Sequence, residues 1–428
     1  MLINKQNINE KPLERDDLPA STPSQESLIQ INYNEKIYLE KESSVKSFIP
    51  FLLLFGVAVT QLWSEAENAV CKACHPIIYQ EYRDSIHSRS SIYTDPVHKA
   101  VWDLHPGKVK GKYSCGKCHT PADHRLIEGK SGLTDNFIQR TEPISCQQCH
   151  KIESIEKHAR SNKNILTDKK KYFFSADSQK RGTKVHFKEK SSFLGLFTRT
   201  SGSPYHDIDY SNEIYYNGTI CLGCHSHKQN GKGFTVCDLE VKQGDSKESC
   251  ISCHMPKIQG PLANQKGHGR HASHAINIHG GHLNQLSKYI HLSISEKSDG
   301  FTVTLRNEAT HTLFPQPLRL GQLRVEIERE GKRVKLKTYT FARVIGRGGK
   351  PAMPWLADSV LSDTTLKALE SRTLDYDFKI QKGDAVTVTF GYYLVKPGAA
   401  KKLKISDKSA TDFIILKRKR FSFPDKAE

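Results

Sequence analysis

The sequence predicts two kinds of structure in one chain: a mainly α/irregular domain with few regular elements, followed by an all-β sandwich domain. Three observations carry this expectation. Five Cys-x-x-Cys-His motifs lie between Cys71 and His254. Only 37% of the 428 residues are hydrophobic, which is lean for a length that allows two or three domains, so something besides side chains is expected to fill part of the core. From about residue 286 no cysteine remains, and apolar and polar residues begin to alternate. The mean hydropathy of −0.56 excludes a polytopic membrane protein.

Residues 1–46 are polar and read as a disordered or mis-called N-terminal extension. Residues 47–66 read as a signal peptide or an N-terminal anchor. The apolar run FIPFLLLFGVAVTQLW at 48–63 is short of the roughly 20 residues of a spanning helix and fits the apolar region of an export signal. A start at Val45 would place Lys46 in a short basic region and Ser64-Glu65-Ala66 at a cleavage site ahead of Glu67. The alternative is an uncleaved anchor, with membrane association through this segment.

The domain expected over 67–285 holds the pairs Cys71/Cys74, Cys115/Cys118, Cys146/Cys149, Cys221/Cys224 and Cys250/Cys253, each followed at once by a histidine: His75, His119, His150, His225 and His254. Chance supplies about 0.01 such motifs in a chain of this composition. Zinc sites combine cysteine pairs two by two, and five pairs leave one over. Neither zinc nor disulfides explain a histidine after every pair. Two residues between the cysteines put both sulfurs within reach of the vinyl groups of one haem, and the following imidazole reaches its iron as proximal ligand. Five motifs imply five covalently bound haems c.

These residues resemble the multihaem c-type cytochromes of bacteria, here in a pentahaem form, over roughly 70–290. The run Cys74-His75-Pro76 through Tyr82, Ser85 and His87 is similar to the first haem segment of such proteins. Cys253-His254-Met255-Pro256 with the later cluster His268, His271, His274, His279 and His282 is similar to the last. Covalent haem attachment takes place outside the cytoplasm, so the resemblance and the N-terminal segment both imply a periplasmic protein.

Methionine is a poor candidate for the distal positions. Met1 starts the chain, Met255 adjoins His254, and Met353 lies outside the motif region. Histidine pairs and correspondingly low potentials are therefore expected. The distal candidates are His87, favoured by the resemblance, His98, His158, His206, His274 and His311. His311 follows Arg306-Asn307 and precedes Phe314-Pro315 in a run that resembles β-domains appended to multihaem cytochromes, although the usual glycine before that histidine is Thr310 here. His105 and His227 read as supporting groups.

Motif spacing suggests that the second and third haems, and the fourth and fifth, lie near each other. The long gap between the third and fourth motifs is basic over 151–200, with Lys169-Lys170-Lys171 and Lys180-Arg181, and reads as an exposed insertion, either a solvated face or a docking surface for an acidic partner. Over 286–428, segments such as Ile290–Ile294, Phe301–Leu305, Leu323–Ile327 and Val386–Phe390 alternate and predict the strands of the sandwich.

Functionally, histidine pairs leave no open iron. The expected role is electron transfer in a respiratory chain, between a quinol-linked membrane cytochrome and a terminal reductase, with no nucleic acid among its partners. The alternative is an oxidoreductase acting on a small nitrogen or sulfur compound at a haem with an open axial site. Pentahaem nitrite reductases carry a Cys-x-x-Cys-Lys motif that this chain lacks, and hydroxylamine-oxidising relatives carry more than five haems. Cys237 is left over and reads either as a buried inert thiol or as a reactive group. N-terminal sequencing of exported protein is expected to begin at Glu67, and a start before residue 60 would contradict cleavage.

Overall fold

The computed structural model describes residues 67–191, 198–242, 248–264, 269–276 and 286–423. The N-terminal extension, the apolar run at 48–63, His268, His279 and His282 lie outside the described residues. From Ala66 onward the chain forms one compact unit.

Short helices carry or flank the motifs. They are α1 (Glu67–Cys74), α2 (Pro76–Asp84), α3 (Pro96–Asp103), α4 (Pro106–Val109), α5 (Gly116–His119), α6 (Cys146–His150), α7 (Leu222–His225) and α8 (Cys250–His254). Proline opens α2, α3 and α4, where its missing N–H costs nothing and its fixed φ suits the first turn. Asp95 caps α3 by accepting from the Val97 and His98 amides at 2.8 and 3.1 Å. Ser249 and Ser252 form a reciprocal capping box on α8.

Several small sheets stand among these helices, which helix-and-loop reasoning does not anticipate. The loop between the third and fourth motifs folds back on itself. Ile152–Glu156 pairs with Lys163–Leu166, and Tyr172–Phe174 runs parallel to Asp207–Asp209. Tyr172 and Phe174 pack with Tyr215 in a small core, so this part of the basic insertion is structural. Among the described residues, the hairpin strands Lys188–Ser191 and Thr198–Ser201 expose every residue.

The C-terminal region contains β1 (Ile290–Glu296), β2 (Phe301–Asn307), β3 (Leu320–Arg329), β4 (Lys332–Lys335), β5 (Tyr339–Phe341), β6 (Ser371–Tyr376), β7 (Ala385–Tyr393) and β8 (Ile414–Ser422). One antiparallel sheet has the order β1-β2-β6, and a second the order β4-β3-β7-β8 with β5 also on β3. Alternation places Ile290, Leu292 and Ile294 inward from β1, and Leu323, Val325 and Ile327 inward from β3. Residues of both sheets share one apolar core in which Phe301, Leu305, Phe341 and Phe390 are almost fully buried. Arg343–Arg347, Lys350–Pro351 and Ser359–Asp363 form a third small sheet.

This region packs directly on the motif-bearing part. Val236 joins Ile345 and Ala357 in one cluster, and Val97 lies against Val395, Ala400 and Ala410 in another. The Asn230 amide donates to the Pro354 and Ala357 carbonyls at 2.9 and 2.7 Å. The Arg343 guanidinium donates to the Thr235 and Val236 carbonyls. A buried apolar seam with satisfied polar groups at its edge resists separation of the two parts.

Candidate haem-ligand site

Each motif histidine faces one other histidine. The ring centroids of His75 and His206 lie 6.2 Å apart, those of His225 and His87 6.1 Å, those of His150 and His274 6.1 Å, and those of His254 and His311 6.3 Å. The fifth pair, His119 and His98, stands closer, at 4.0 Å.

An iron between two imidazoles, with metal–nitrogen bonds of about 2.0 Å and centroids about 1.1 Å behind the nitrogens, would set the centroids about 6.2 Å apart. Four pairs have that spacing. The His98–His119 pair is about 2 Å short of it, so holding an iron there requires the two rings to part.

The ring nitrogens are arranged to match. In His75, His98, His119, His150, His274 and His311, Nδ1 faces a backbone carbonyl: those of Leu262, Ser90, Ser90, Phe174, Ala272 and Thr312 respectively. Donating the Nδ1 proton to such an oxygen fixes the tautomer and turns the Nε2 lone pair outward, the arrangement that metal-binding histidines require.

Burial also favours the neutral form in eight of these rings. Burial lowers the pKa of His87 to about 4, with His225 adding to the effect, and those of His119 and His274 to about 3, with His98 and His150 adding in turn. Burial likewise lowers His98, His150, His206, His225 and His311. Several of these rings keep open surface even so, His225 most of all. Neutral imidazole is the ligating form.

Different elements deliver the five partners. His87 sits on the 3-10 turn Ile86–Arg89, which is tied down where the Ile86 amide donates to the Ile276 carbonyl at 3.1 Å. His98 rides on the capped first turn of α3. His206 precedes the strand Asp207–Asp209 and meets Phe173 edge-on at 5.5 Å. His274 follows the strand Arg270–Ala272. His311 lies on the turn after β2, where the buried Asn307 amide donates to its carbonyl at 3.1 Å and to that of Lys367 at 2.8 Å.

The other described histidines have different partners. His158 is exposed on a turn, where its Nδ1 accepts from the Arg160 amide at 3.2 Å, and it faces none of the motif histidines. His227 is held by the His158 and Ala159 carbonyls at 3.0 and 2.9 Å. His105 accepts from the Gly107 amide at 2.9 Å. The fully buried His271 bonds the Gly260 carbonyl at 3.0 Å and Glu81 Oε1 at 2.9 Å, while Glu81 Oε2 accepts the His274 amide at 2.8 Å. Gly260, at φ +138°, lets this ring approach, since a Cβ there would stand 3.0 Å from His271 Cε1. Glu81 and His271 brace the segment that carries His274. A rule seeking imidazoles near the last motif finds His271 as readily as His274, and only the carboxylate contact separates them.

The motifs also touch one another. The thiol of Cys146 meets that of Cys71, Cys224 meets Cys118, and Cys221 meets Cys250. Tyr215, just ahead of the fourth motif, donates its hydroxyl to the Cys149 carbonyl at 2.6 Å. The fourth motif therefore adjoins the second, third and fifth, and the third adjoins the first. The fourth and fifth are neighbours as spacing suggests. The second and third stay linked through their flanks, by the Ala122 amide on the Pro143 carbonyl at 3.1 Å, but the thiols of the second meet the fourth. Cys237 is buried, and burial raises its pKa, which favours the protonated thiol.

Replacing Glu81 with alanine is expected to cost about 3–5 kcal/mol, because it strips a buried histidine of its partner. Glu81→Gln, which keeps an acceptor oxygen, should lose much less. Urea unfolding followed by far-ultraviolet circular dichroism measures both, and a loss under about 1 kcal/mol for the alanine variant would contradict the bracing role.

Three comparisons bear on this arrangement. Residues 70–151 match the family model described as cytochrome c554 and c-prime. The fold is similar to the crystal structure of a penta-heme cytochrome c552 from Thermochromatium tepidum, with a TM-score of 0.62 and 19% identity, covering 83% of this chain and 98% of that one. No curated protein sequence matches. The family match spans the first three copies of the repeated motif, and the fold as a whole is similar to that of a penta-heme cytochrome.

Proposed function

We propose that this protein is an exported, periplasmic electron carrier that binds five haems c and has no open iron site. The observation supporting this reading is the one-to-one facing of five motif histidines with five others. In this reading the ten paired cysteines hold the haems as thioethers. His75, His119, His150, His225 and His254 are the proximal ligands, and His206, His98, His274, His87 and His311 the distal ones.

Haem c supplies reversible one-electron iron chemistry when bound. The protein's part is to favour neutral imidazole by burial at most of these rings, to aim Nε2 in six of them by anchoring Nδ1 on a carbonyl, and to close off the sixth position. Two histidine ligands favour a lower potential than histidine and methionine. The contacts among motifs support a connected relay in which the fourth motif is the junction.

The C-terminal sheets are read as a sandwich domain, covering 286–428, that contributes the distal group His311. The redox partners are read as proteins, a quinol-linked membrane cytochrome and a terminal reductase. Catalysis on a nitrogen or sulfur compound would need one motif histidine without a partner, and the facing pairs argue against it.

The dithionite-reduced protein is expected to show no Soret shift under carbon monoxide and no consumption of nitrite, hydroxylamine or sulfite. His311→Ala should open one iron and bind one carbon monoxide per chain. Carbon monoxide binding by the unaltered protein, or turnover of any of the three compounds, would overturn the carrier reading.

A further inference from the structure

One loop of the C-terminal region is seated beside the fourth and fifth motifs. It runs from His311, which faces His254 of the fifth motif, to Arg319 at the start of β3. Its backbone is fixed against the segment that follows the fourth motif. The Thr312 amide donates to the Leu239 carbonyl and the Lys242 amide to the Thr310 carbonyl, both at 2.8 Å. The Gln316 side chain meets the Cys237 thiol, and the Arg319 amide donates to the Gln316 carbonyl at 2.9 Å. On the other side the Lys396 amide donates to the Leu318 carbonyl at 2.7 Å, and Gly321 pairs with Tyr392 between β3 and β7.

The Arg319 guanidinium stands among groups from both parts of the molecule, and its charge acts on His225, Cys237, His311 and Tyr392. Burial is the larger cause of the pKa shift in each. The arginine adds to it at the two histidines and opposes it at the thiol and the phenol. His225 faces His87, and His311 faces His254, with centroids 6.1 and 6.3 Å apart. One cation thus serves two neighbouring pairs whose spacing suits an iron.

This cation has no anion of its own. Arg319 is half-buried, and among the described residues no carboxylate forms an ion pair with it. The acidic groups around it are engaged elsewhere. Asp363 pairs with Arg343 at 2.8 Å and Glu240 with Lys367 at 3.0 Å, while Asp238 is exposed and accepts the Glu240 amide at 2.8 Å. Arg343, the other arginine acting on Cys237, also donates to the Thr235 and Val236 carbonyls. A partly desolvated charge is costly until an opposite charge meets it. Each haem c carries two propionate carboxylates, and the planar fork of arginine takes a carboxylate with two parallel hydrogen bonds.

We propose that Arg319 binds a propionate carboxylate of the haem on the fourth or the fifth motif and so raises that haem's reduction potential. A cation beside the haem favours the reduced iron, which carries one positive charge fewer. The inference rests on the haem-binding reading and adds a residue from outside the motifs and their facing histidines. It also gives the C-terminal sheets a second part in that site, besides carrying His311.

Arg319→Gln and Arg319→Lys in the full protein test this, with haem counted by pyridine haemochrome. Midpoints are followed by redox titration with electron paramagnetic resonance, and propionate bending bands by resonance Raman. Arg319→Gln is expected to keep its haem content and to lower one midpoint by about tenfold in the reduction equilibrium, about 59 mV for one electron. One propionate band should move to lower frequency. Arg319→Lys keeps the charge and should restore most of the midpoint. The signals lost in His87→Ala and His311→Ala mark the fourth and fifth centres and tell which haem shifts. Unchanged midpoints in Arg319→Gln, a midpoint that falls while no propionate band moves, or equal shifts in both variants would overturn the assignment and leave the carrier reading intact. If Arg319→Gln loses a haem, full haem content in Arg319→Lys supports the assignment, and loss in both overturns it. Unaltered protein with no haem on the fourth and fifth motifs would overturn both readings.

Discussion

Everything in the motif-bearing region turns on keeping imidazoles uncharged inside the protein. A buried histidine is costly when protonated, so enclosure favours the neutral ring, and a carbonyl oxygen that accepts its Nδ1 proton fixes which nitrogen stays free. Six of the ten paired rings have such a partner. Leu262, Ser90 and Thr312 supply these oxygens from outside helices and strands, and Phe174 and Ala272 from the last residues of short strands, where carbonyls are left free of a ladder.

The same constraint divides the molecule's apolar packing. Around the motifs the protein cores are small clusters such as Ile92, Trp102 and Tyr113, or Tyr172, Phe174 and Tyr215. In the C-terminal region a single large core spans two sheets. The lean hydrophobic content is thus an average over two regimes. Around the motifs side-chain packing is split into small clusters, and in the sheets side chains fill the interior by themselves. The His98–His119 pair, at 4.0 Å, is the place where binding must move protein groups furthest, and the Tyr113 hydroxyl on His98 is the contact that would give way.

Much of this was legible in the sequence, for physical reasons that differ by region. The attachment motifs are local, so spacing alone identifies them. The strands Ile290–Glu296 and Leu320–Arg329 follow from period-two alternation. The facing partners are not local. His87 meets His225 across 138 positions, whereas His158, nearer to the third motif in sequence, turns out to solvent on its hairpin. No periodicity encodes that difference. It depends on a turn fixed by the Ile86–Ile276 hydrogen bond. The small sheets of the 151–209 segment were equally hidden, since a run of lysines reads as surface even where Tyr172 and Phe174 between them are buried.

The central claim is that every iron in the mature protein is held between two histidines. Electron paramagnetic resonance of the oxidised protein, with haem counted by pyridine haemochrome, tests it most directly. The account predicts five haems per chain, all low-spin. A high-spin signal in fully loaded protein, shifting when nitrite or hydroxylamine is added, would contradict it.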